Sequence, residues 1–345
     1  MMSLKEIGTT AAALGNQIGA GIPIDQALSR MAQMQPQYSD FWHRTVQDIR
    51  SGHLLSDSLQ EVWPKSLVSA VKAGEQSGRI DNIFKRIDET IELQLSLRST
   101  VMQLGYPIGM GIAGLIVFLG FMVFVLPMLA KSLNSKSQSA IFEFSSWLSA
   151  LVLGNAVALG IAAGLGVFTL IAWMKTPQAQ ASILEFCLNI PVLKDALGSM
   201  YFGLWSNYMA MMVSAGIPTT QALLLTAPIL PGVLGESIEV FESDLSANKS
   251  IAASSDLATL PNDDLRAIWW PFYISNAFLV GEQTGEIDKE LLRVAPALIK
   301  DGVTTMNRVV SIANVVALAI SAALIVSPLA AYYAEIFSSI RTAGH

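Results

Sequence analysis

Two hydrophobic patterns alternate along this chain of 345 residues. Three stretches, 99–130, 144–174 and 309–334, contain no Asp, Glu, Lys or Arg, and each exceeds the roughly 20 apolar residues that cross a bilayer as a helix. The segments 1–98 and 175–308 instead place apolar residues three or four positions apart with charges between them, which is the spacing of amphipathic helices. The alternation predicts an all-α integral membrane protein.

The polar segments predict helical bundles outside the bilayer. One helix shows the pattern clearly, because its apolar residues from Ile80 to Leu95 recur every three or four positions. We predict two homologous cytoplasmic bundles of about six short helices each, joined to three transmembrane helices. The predicted boundaries are 1–105 and 175–308 for the bundles, 106–130, 148–174 and 309–333 for the spans, 131–147 for a short periplasmic loop, and 334–345 for a periplasmic tail.

The two bundles are copies of one repeat. Between 74–81 and 281–288, six of eight positions are identical at an offset of 207. Upstream, the sequence Ala20-Gly21-Ile22-Pro23 recurs as Ala215-Gly216-Ile217-Pro218 at an offset of 195. Two landmarks in the same order indicate one unit used twice, with about a dozen extra residues in the second copy. We predict that these extra residues form a loop between Ser255 and Pro271.

The repeated Gly-Glu motif supplies the first candidate functional residues. In one interpretation it is a loop at a tight helix–helix junction, where glycines allow close approach and the glutamate accepts hydrogen bonds from helix N-terminal amides. In the other, the junction also contacts a partner protein or a second subunit. A phosphate cradle is disfavoured, because a glutamate in the loop repels anions and no lysine follows. The candidates are Gly74, Glu75 and Gly78, with their copies Gly281, Glu282 and Gly285.

Two further sets of residues mark the architecture. The repeat turns contain Gly21 and Pro23 in the first copy and Gly216 and Pro218 in the second, a pattern typical of a helix end followed by a new helix. Asn248 stands where the first copy has Gly52, and both residue types tolerate a left-handed helix end. Tyr106 and Pro107 mark the start of the first span.

Composition and missing motifs narrow the function. Charged residues make up 14% of the chain, against about 25% in soluble domains, and a net charge of −6 argues against a nucleic-acid partner. The single cysteine, Cys187, excludes an internal disulfide. No P-loop, His-Glu-x-x-His or Gly-x-Ser-x-Gly motif occurs, and the three histidines lack metal-site spacing. We therefore predict no catalytic residue, cofactor or metal site.

The distribution of basic residues predicts the topology. Lysine and arginine are enriched on the cytoplasmic side of membrane helices, and three spans place the two termini on opposite sides. The side with the two large segments carries more basic residues than the side with the loop and the C-terminus. The first side carries Arg98, Lys175, Lys194, Lys289, Arg293, Lys300 and Arg308, and the second carries Lys131, Lys136 and Arg341. We therefore predict both large segments and the N-terminus in the cytoplasm, and the loop and the C-terminus in the periplasm.

These features together resemble the type II secretion F / type IV pilus inner-membrane platform family. The resemblance rests on the two Gly-Glu-x-Ser/Thr-Gly motifs, the two Ala-Gly-Ile-Pro turns, Tyr106-Pro107 and the order bundle, hairpin, bundle, span, and it covers nearly the whole chain. It implies a non-enzymatic platform in the bacterial inner membrane. It further implies as partners a cytoplasmic assembly ATPase, pilin subunits drawn out of the bilayer, other inner-membrane assembly proteins and a second copy of the chain.

The chain departs from the family pattern in three places, one of which is that the N-terminus starts almost directly at the first bundle. Asn248 replaces the turn glycine, and Met306-Asn307-Arg308-Val309 lacks the Glu-Pro that the family often carries before the last span. We favour a type IV pilus member, of the type IVb kind. The alternatives are the platform of a type II secretion system, a small transporter and a membrane-tethered signalling adaptor, although uncharged spans speak against a transporter.

Overall fold

The chain is all-helical in the part that the structure describes. The computed structural model describes residues 1–128, 140–155 and 187–343, with a few positions between 161 and 176, and no strand occurs among them. The chain divides into two compact units. Met1–Val101 and Leu184–Met306 form the first, here called the helical unit, and Met102–Ile183 and Asn307–His345 form the second, here called the apolar unit.

The first copy of the repeat begins at a capped helix. Ser3 Oγ accepts a hydrogen bond from the N–H of Glu6, and the Glu6 carboxylate accepts one from the N–H of Ser3, which makes a capping box. Pro23 and Pro64 stand directly before two other helices. The N–H groups at a helix start have no partner within the helix, so a proline costs no hydrogen bond there. The helices are α1 (Leu4–Gly19), α2 (Ile24–Met34), α3 (Ser39–Arg50), α4 (Leu55–Leu59), α5 (Lys65–Ser77) and α6 (Ile80–Met102), with a 3-10 turn at Pro36–Tyr38.

The second copy repeats this order. Its last helix, α15 (Ile287–Ala343), continues beyond the helical unit into the apolar unit. The helices are α9 (Pro191–Ser214), α10 (Thr219–Thr226), α11 (Val233–Ser246), α12 (Ile251–Ser255), α13 (Leu265–Trp269), α14 (Phe272–Thr284) and α15 (Ile287–Ala343), with a 3-10 turn at Ala227–Ile229; the numbers α7 and α8 belong to the apolar unit below.

The extra residues of the second copy are not simply a loop, so that prediction was wrong. They contain α13, and its Arg266 is buried, with 2% of its surface exposed. Asp264 caps this helix, since its Oδ1 accepts the Arg266 N–H at 2.8 Å. The polar composition that suggested a loop instead reflects a buried ion cluster.

Aromatic side chains fill the core of each copy. Trp42 and Phe84 are fully buried in the first copy, and burying such a side chain contributes about 1.5–3 kcal/mol. The indole N–H groups of Trp42 and Trp205 find acceptors, as buried indoles usually do. Trp42 donates to Gln35 Oε1 at 3.2 Å and Trp205 donates to Thr226 Oγ1 at 3.1 Å.

The two copies also contact each other within the helical unit. Tyr208 on α9 donates its hydroxyl hydrogen to Gln94 Oε1 on α6, with an O···O distance of 3.0 Å. Burial raises the pKa of Tyr208 to about 12, so the hydroxyl keeps its proton at neutral pH. In addition, α5 of the first copy packs against α9 and α10 of the second.

The apolar unit contains α7 (Gly105–Gly120), which continues as a π-helical turn at Phe121–Val125, α8 (Ala140–Gly154) and the last part of α15. Among the described residues, two helical stretches are long and apolar enough to cross a membrane, Ile80–Met128 and Ile287–Ala334, and the most apolar window of each has a mean hydropathy of 2.6. In their most apolar windows only 17% and 6% of positions are buried, which distinguishes them from core helices of a soluble protein. Of the predicted loop 131–147 and span 148–174, residues 131–139, 156–160 and several positions between 162 and 174 lie outside the described residues, and residues 140–147 belong to α8.

Small residues bring α7 and α15 together inside the apolar unit. A Cβ atom added at Gly114 would lie 2.4 Å from Ser321 Oγ, so only glycine fits this contact. Nearby, Met122 and Leu126 form a buried cluster with Phe118, Leu148 and Tyr332. The glycine-rich helix α7 therefore uses one of its glycines for close helix packing.

Candidate functional site

The Gly-Glu motif is the last helical turn before a tight junction, and not a loop as predicted. Gly74 and Glu75 lie within α5, which runs on to Ser77. Gly78 then adopts a left-handed conformation with φ of +64°, and Gly285 does the same with φ of +73°. A backbone hydrogen bond closes each helix end. The N–H of Arg79 donates to the carbonyl oxygen of Gly74 at 2.9 Å, and the N–H of Glu286 donates to the carbonyl oxygen of Gly281 at 3.1 Å. This is the Schellman motif, in which glycine at the left-handed position avoids a steric penalty.

The two motif glutamates cap neighbouring helices in the same way. Glu75 accepts hydrogen bonds from the backbone N–H groups of Leu55 at 2.6 Å and Ser56 at 3.0 Å, one on each carboxylate oxygen. These amides begin α4, where a negative charge is favoured by the helix dipole and by the lack of intrahelical acceptors. The carboxylate–amide bonds expected from the sequence are therefore present.

The second copy reproduces this arrangement at the start of α12. Glu282 accepts from the N–H groups of Ile251 at 2.8 Å and Ala252 at 2.6 Å. Glu282 is half-buried, as Glu75 is in the first copy. A feature that recurs in both geometry and burial is a part of the repeat itself.

The first glycine of each motif allows the junction to close. A Cβ at Gly74 would lie 2.7 Å from Ile83 Cγ1, and a Cβ at Gly281 would lie 2.8 Å from Ile287 Cα. Both contacts are shorter than real Cβ atoms make, so any larger residue would push the two helices of the junction apart. The junction interpretation thus accounts for Gly74, Glu75 and Gly78 and their copies, and the additional contact with a partner or subunit stays a prediction.

The repeat turns also have matching geometry. Gly21 and Gly216 have φ angles of +83° and +92°, and Pro23 and Pro218 stand directly before α2 and α10. Asn248 has a φ of +62° and is the one residue other than glycine with a positive φ in the described ranges. Asparagine therefore occupies the left-handed helix end that Gly52 forms in the first copy, as predicted.

A groove of about 780 Å³ brings the first motif close to the second turn. One wall is α5, including Gln76 and Ser77 of the motif, and the other includes the turn from Ala215 to Pro218. The charged residues of its lining are Lys65 and Lys72. The helical unit thus places features from both copies around one surface.

The remaining predicted residues lie in the apolar unit. Tyr106 and Pro107 lie in the first turn of α7, where a proline costs no intrahelical hydrogen bond. Tyr106 is 67% exposed, whereas Pro107 is buried. Among the described residues, no three histidine, cysteine or acidic side chains come together as metal ligands would.

The duplication has a counterpart among known proteins. The model of the family described as type II secretion system (T2SS), protein F, matches residues 11–127 and again residues 205–334. These two segments are the two copies of the repeat, and they cover most of the chain. The chain belongs to the type II secretion system protein F family.

Curated relatives of this family member have names from two related machines. A type IV pilus assembly protein PilC of Thermus thermophilus is 24% identical over 299 residues, which cover 85% of this chain and 72% of the relative. A type IV pilus assembly protein TapC of Aeromonas hydrophila is 22% identical over 349 residues, covering 96% and 81%. A type II secretion system protein F of Aeromonas hydrophila is 22% identical over 318 residues, covering 88% and 79%.

Sequence reasoning missed one landmark shared by both family segments. Trp63-Pro64 recurs as Trp270-Pro271 at an offset of 207, the same offset as the Gly-Glu motif. Both tryptophans are buried, and both prolines directly precede the helix that carries the motif glutamate. The shared offset was the signal that could have revealed it.

The buried ion cluster around Arg266 was also missed. Arg266 contacts Asp264 Oδ2 and Asp244 Oδ2, each at 2.7 Å, and donates to the Ser254 carbonyl at 2.9 Å. Hydrogen bonds from Arg266 hold the pKa of Asp264 below its ordinary value. Burial acts to raise the pKa of Asp244, but hydrogen bonds from Lys249 and Arg266 outweigh it and lower that pKa. The cluster fastens the insertion of the second copy to α11.

Proposed function

We propose that this protein is the non-enzymatic inner-membrane platform of a type IV pilus assembly machine. The observation that carries the proposal is that both copies of the repeat match the family model, together with relatives named as type IV pilus assembly proteins in two bacteria. In this role the chain binds a cytoplasmic assembly ATPase and moves pilin subunits from the bilayer into a growing filament.

The proposed topology has two six-helix bundles in the cytoplasm and three membrane spans. The N-terminus is cytoplasmic and the C-terminus periplasmic, because basic residues flank the predicted spans mainly on the side of the bundles. Two apolar helical stretches in the described residues support two of the three spans. Other inner-membrane assembly proteins and a second copy of the chain complete the platform.

The junctions suggest how movement in the bundles reaches the membrane. Glu75 joins α5 to α4, and Glu282 joins α14 to α12. A tight turn then connects α5 to α6 in the first copy and α14 to α15 in the second. Both α6 and α15 lead into the apolar stretches. A junction fixed by paired hydrogen bonds and close glycine contacts transmits displacement better than a flexible loop, since packed interfaces deform little. We propose that the ATPase acts on the platform through these helices.

The specific alternative is the equivalent platform of a type II secretion system. It is favoured by the relative from Aeromonas hydrophila that is named type II secretion system protein F. Both functions use the same fold and the same kind of partners, so the difference lies in which machine the chain joins.

The test is chemical cross-linking in native membranes, followed by purification of the tagged full chain and mass spectrometry. The proposal predicts cross-links to a pilus assembly ATPase and to type IV pilins. Cross-links to a secretion ATPase and pseudopilins would favour the alternative. The absence of any assembly ATPase or pilin, with other inner-membrane complexes recovered intact, would refute both.

A further inference from the structure

Exposed apolar side chains lie around the junction of α13 and α14 and at the start of α9. Phe272 is 71% exposed, Val192 53% and Ile268 41%. Lys194 Nζ lies 4.5 Å from the centroid of the Trp269 ring, so a cation–π contact joins the two segments. We name this surface the interfacial patch, and it consists of Ile190, Val192, Lys194, Ile268, Trp269 and Phe272.

Contacts between α9 and α15 show where this patch lies along α15. A Cβ at Gly203 would lie 2.6 Å from Ile299 Cγ1, and a Cβ at Gly302 would lie 2.8 Å from the carbonyl oxygen of Ala196. Earlier residues of α9 therefore meet later residues of α15, so the two helices run antiparallel. Moving toward the start of α9, and so toward Lys194, therefore means moving toward later residues of α15.

The predicted span begins shortly afterwards in the same helix. Val309, where it begins, follows Gly302 by seven residues, which is about 10 Å at 1.5 Å per residue. Lys194 lies two residues before Ala196 in α9. The start of α9 therefore packs against the part of α15 that shortly precedes its uncharged stretch.

This position and composition match the polar layer of a bilayer. The headgroup region on each side of the hydrocarbon core is roughly 5–8 Å thick. Tryptophan is enriched at this depth, and lysine places its apolar stem in the layer while its ammonium group reaches water or phosphate. A soluble surface seldom exposes side chains such as Phe272, Ile268 and Val192 together unless something covers them.

We propose that the interfacial patch lies in the headgroup layer of the bilayer that α15 crosses, and that it anchors the second copy of the repeat to lipid. The inference rests on the membrane insertion of α15 and is independent of which machine the chain serves. The buried Arg266 cluster then has a role, because it fastens the segment directly before Ile268 and Trp269 to the bundle.

The first copy offers matched controls. At an offset of 207, Glu61 corresponds to Ile268 and Lys65 corresponds to Phe272. Both are exposed and charged, as expected for a surface in water. The first copy therefore lacks the apolar side chains that the proposal assigns to lipid contact.

The test is depth measurement by spin labelling of the full chain. Cys187→Ser removes the native cysteine, and single nitroxide labels are then attached at Ile268→Cys, Phe272→Cys, Glu61→Cys or Lys65→Cys. A label at Leu318→Cys, which is 58% exposed within the predicted span, reports the lipid core. Each protein is reconstituted in vesicles of phosphatidylethanolamine and phosphatidylglycerol, and power saturation compares the accessibility of the label to oxygen and to a water-soluble nickel complex.

The expected ratio of oxygen to nickel accessibility at positions 268 and 272 lies several-fold above that at positions 61 and 65, and below that at position 318. Equal ratios at positions 268, 272, 61 and 65 would overturn the proposal. Low accessibility to both reagents at 268 and 272 would show that protein covers the patch, and would overturn it too. An aqueous ratio at position 318 would refute the span itself and the anchoring with it, without bearing on the pilus or secretion partners.

Discussion

Replacement of a motif glutamate should loosen one specific helix start. Glu75→Gln keeps the size of the side chain but removes the charge, and one of its two carboxylate acceptors becomes an amide donor. The N–H groups of Leu55 and Ser56 then compete for a single neutral oxygen. The first turn of α4 should open more often, while the rest of the helical unit stays folded.

The size of the effect follows from the two bonds. A hydrogen bond to a charged group contributes about 1.5–3 kcal/mol, and a neutral one about 1 kcal/mol. Glu75 is half-buried, so the lower part of the first range applies. Losing one charged bond and weakening the other should cost about 2 kcal/mol. Because each 1.4 kcal/mol is a factor of ten, the opening equilibrium should rise about 30-fold.

Hydrogen–deuterium exchange of the full chain in detergent or nanodiscs measures this opening. Protection of the amides at Leu55 and Ser56 should fall about 30-fold in Glu75→Gln, and Glu282→Gln should do the same at the start of α12. Gln76→Ala, at the exposed neighbouring position, serves as the control and should leave both sites unchanged. Unchanged protection at Leu55 and Ser56 in Glu75→Gln would refute the assigned role of the carboxylate.

Three further substitutions test the packing and the ion cluster, each by the free energy of unfolding or the thermal midpoint of the full chain in detergent. Gly74→Ala should cost about 1–2 kcal/mol, because the new methyl group would lie 2.7 Å from a buried isoleucine side chain. Arg266→Met should cost about 3–5 kcal/mol, because it leaves the largely buried Asp264 without its partner and Asp244 with Lys249 alone. Because the pKa values of Asp244 and Asp264 are lowered, the stability that their ionised forms contribute is present above the ordinary carboxyl pKa and is lost as pH falls through the lowered values. Arg266→Met should therefore lose less stability than the wild type on acidification below about pH 4. Gly114→Ala should lower the thermal midpoint of the apolar unit, because its Cβ would lie 2.4 Å from a serine hydroxyl oxygen on α15.

Each of these variants has a control elsewhere in the chain. Gly19→Ala and Gly109→Ala add a methyl group where no atom lies within 4 Å, so neither should destabilise the protein. Arg44→Met removes a surface ion pair in which both side chains are more than 60% exposed, and it should cost less than about 1 kcal/mol. Equal effects in a variant and its control would show that the proposed contact does not account for the loss.

Local features of the fold could be predicted from the sequence. Left-handed helix ends depend on residue type at one position, and so Gly52 and Asn248 identified the same turn in both copies. The motif glutamate as an acceptor for helix amides could also be foreseen, because its position beside glycines left few other roles. The helical conformation of the motif could not be foreseen, because glycine usually ends helices. Gly74 instead lies inside α5, where it allows close packing with Ile83.

Contacts between distant parts of the chain were beyond sequence reasoning. Arg266 meets Asp244, which is 22 residues earlier in the chain, and the three ionic side chains looked like a solvated loop. Tyr208 and Gln94 are 114 residues apart, and no pattern within either helix indicates that the two copies meet there. Such pairs depend on how the helices pack, which periodicity does not specify.

Surface piliation measures most directly whether this chain is a platform for type IV pilus assembly. The gene is deleted in the organism that carries it, and pilin is quantified in the sheared surface fraction and in the inner membrane. We expect surface pilin to disappear while membrane pilin remains, and we expect the wild-type gene, but not Glu75→Ala/Glu282→Ala, to restore pili. Normal surface piliation in the deletion strain would contradict the platform role.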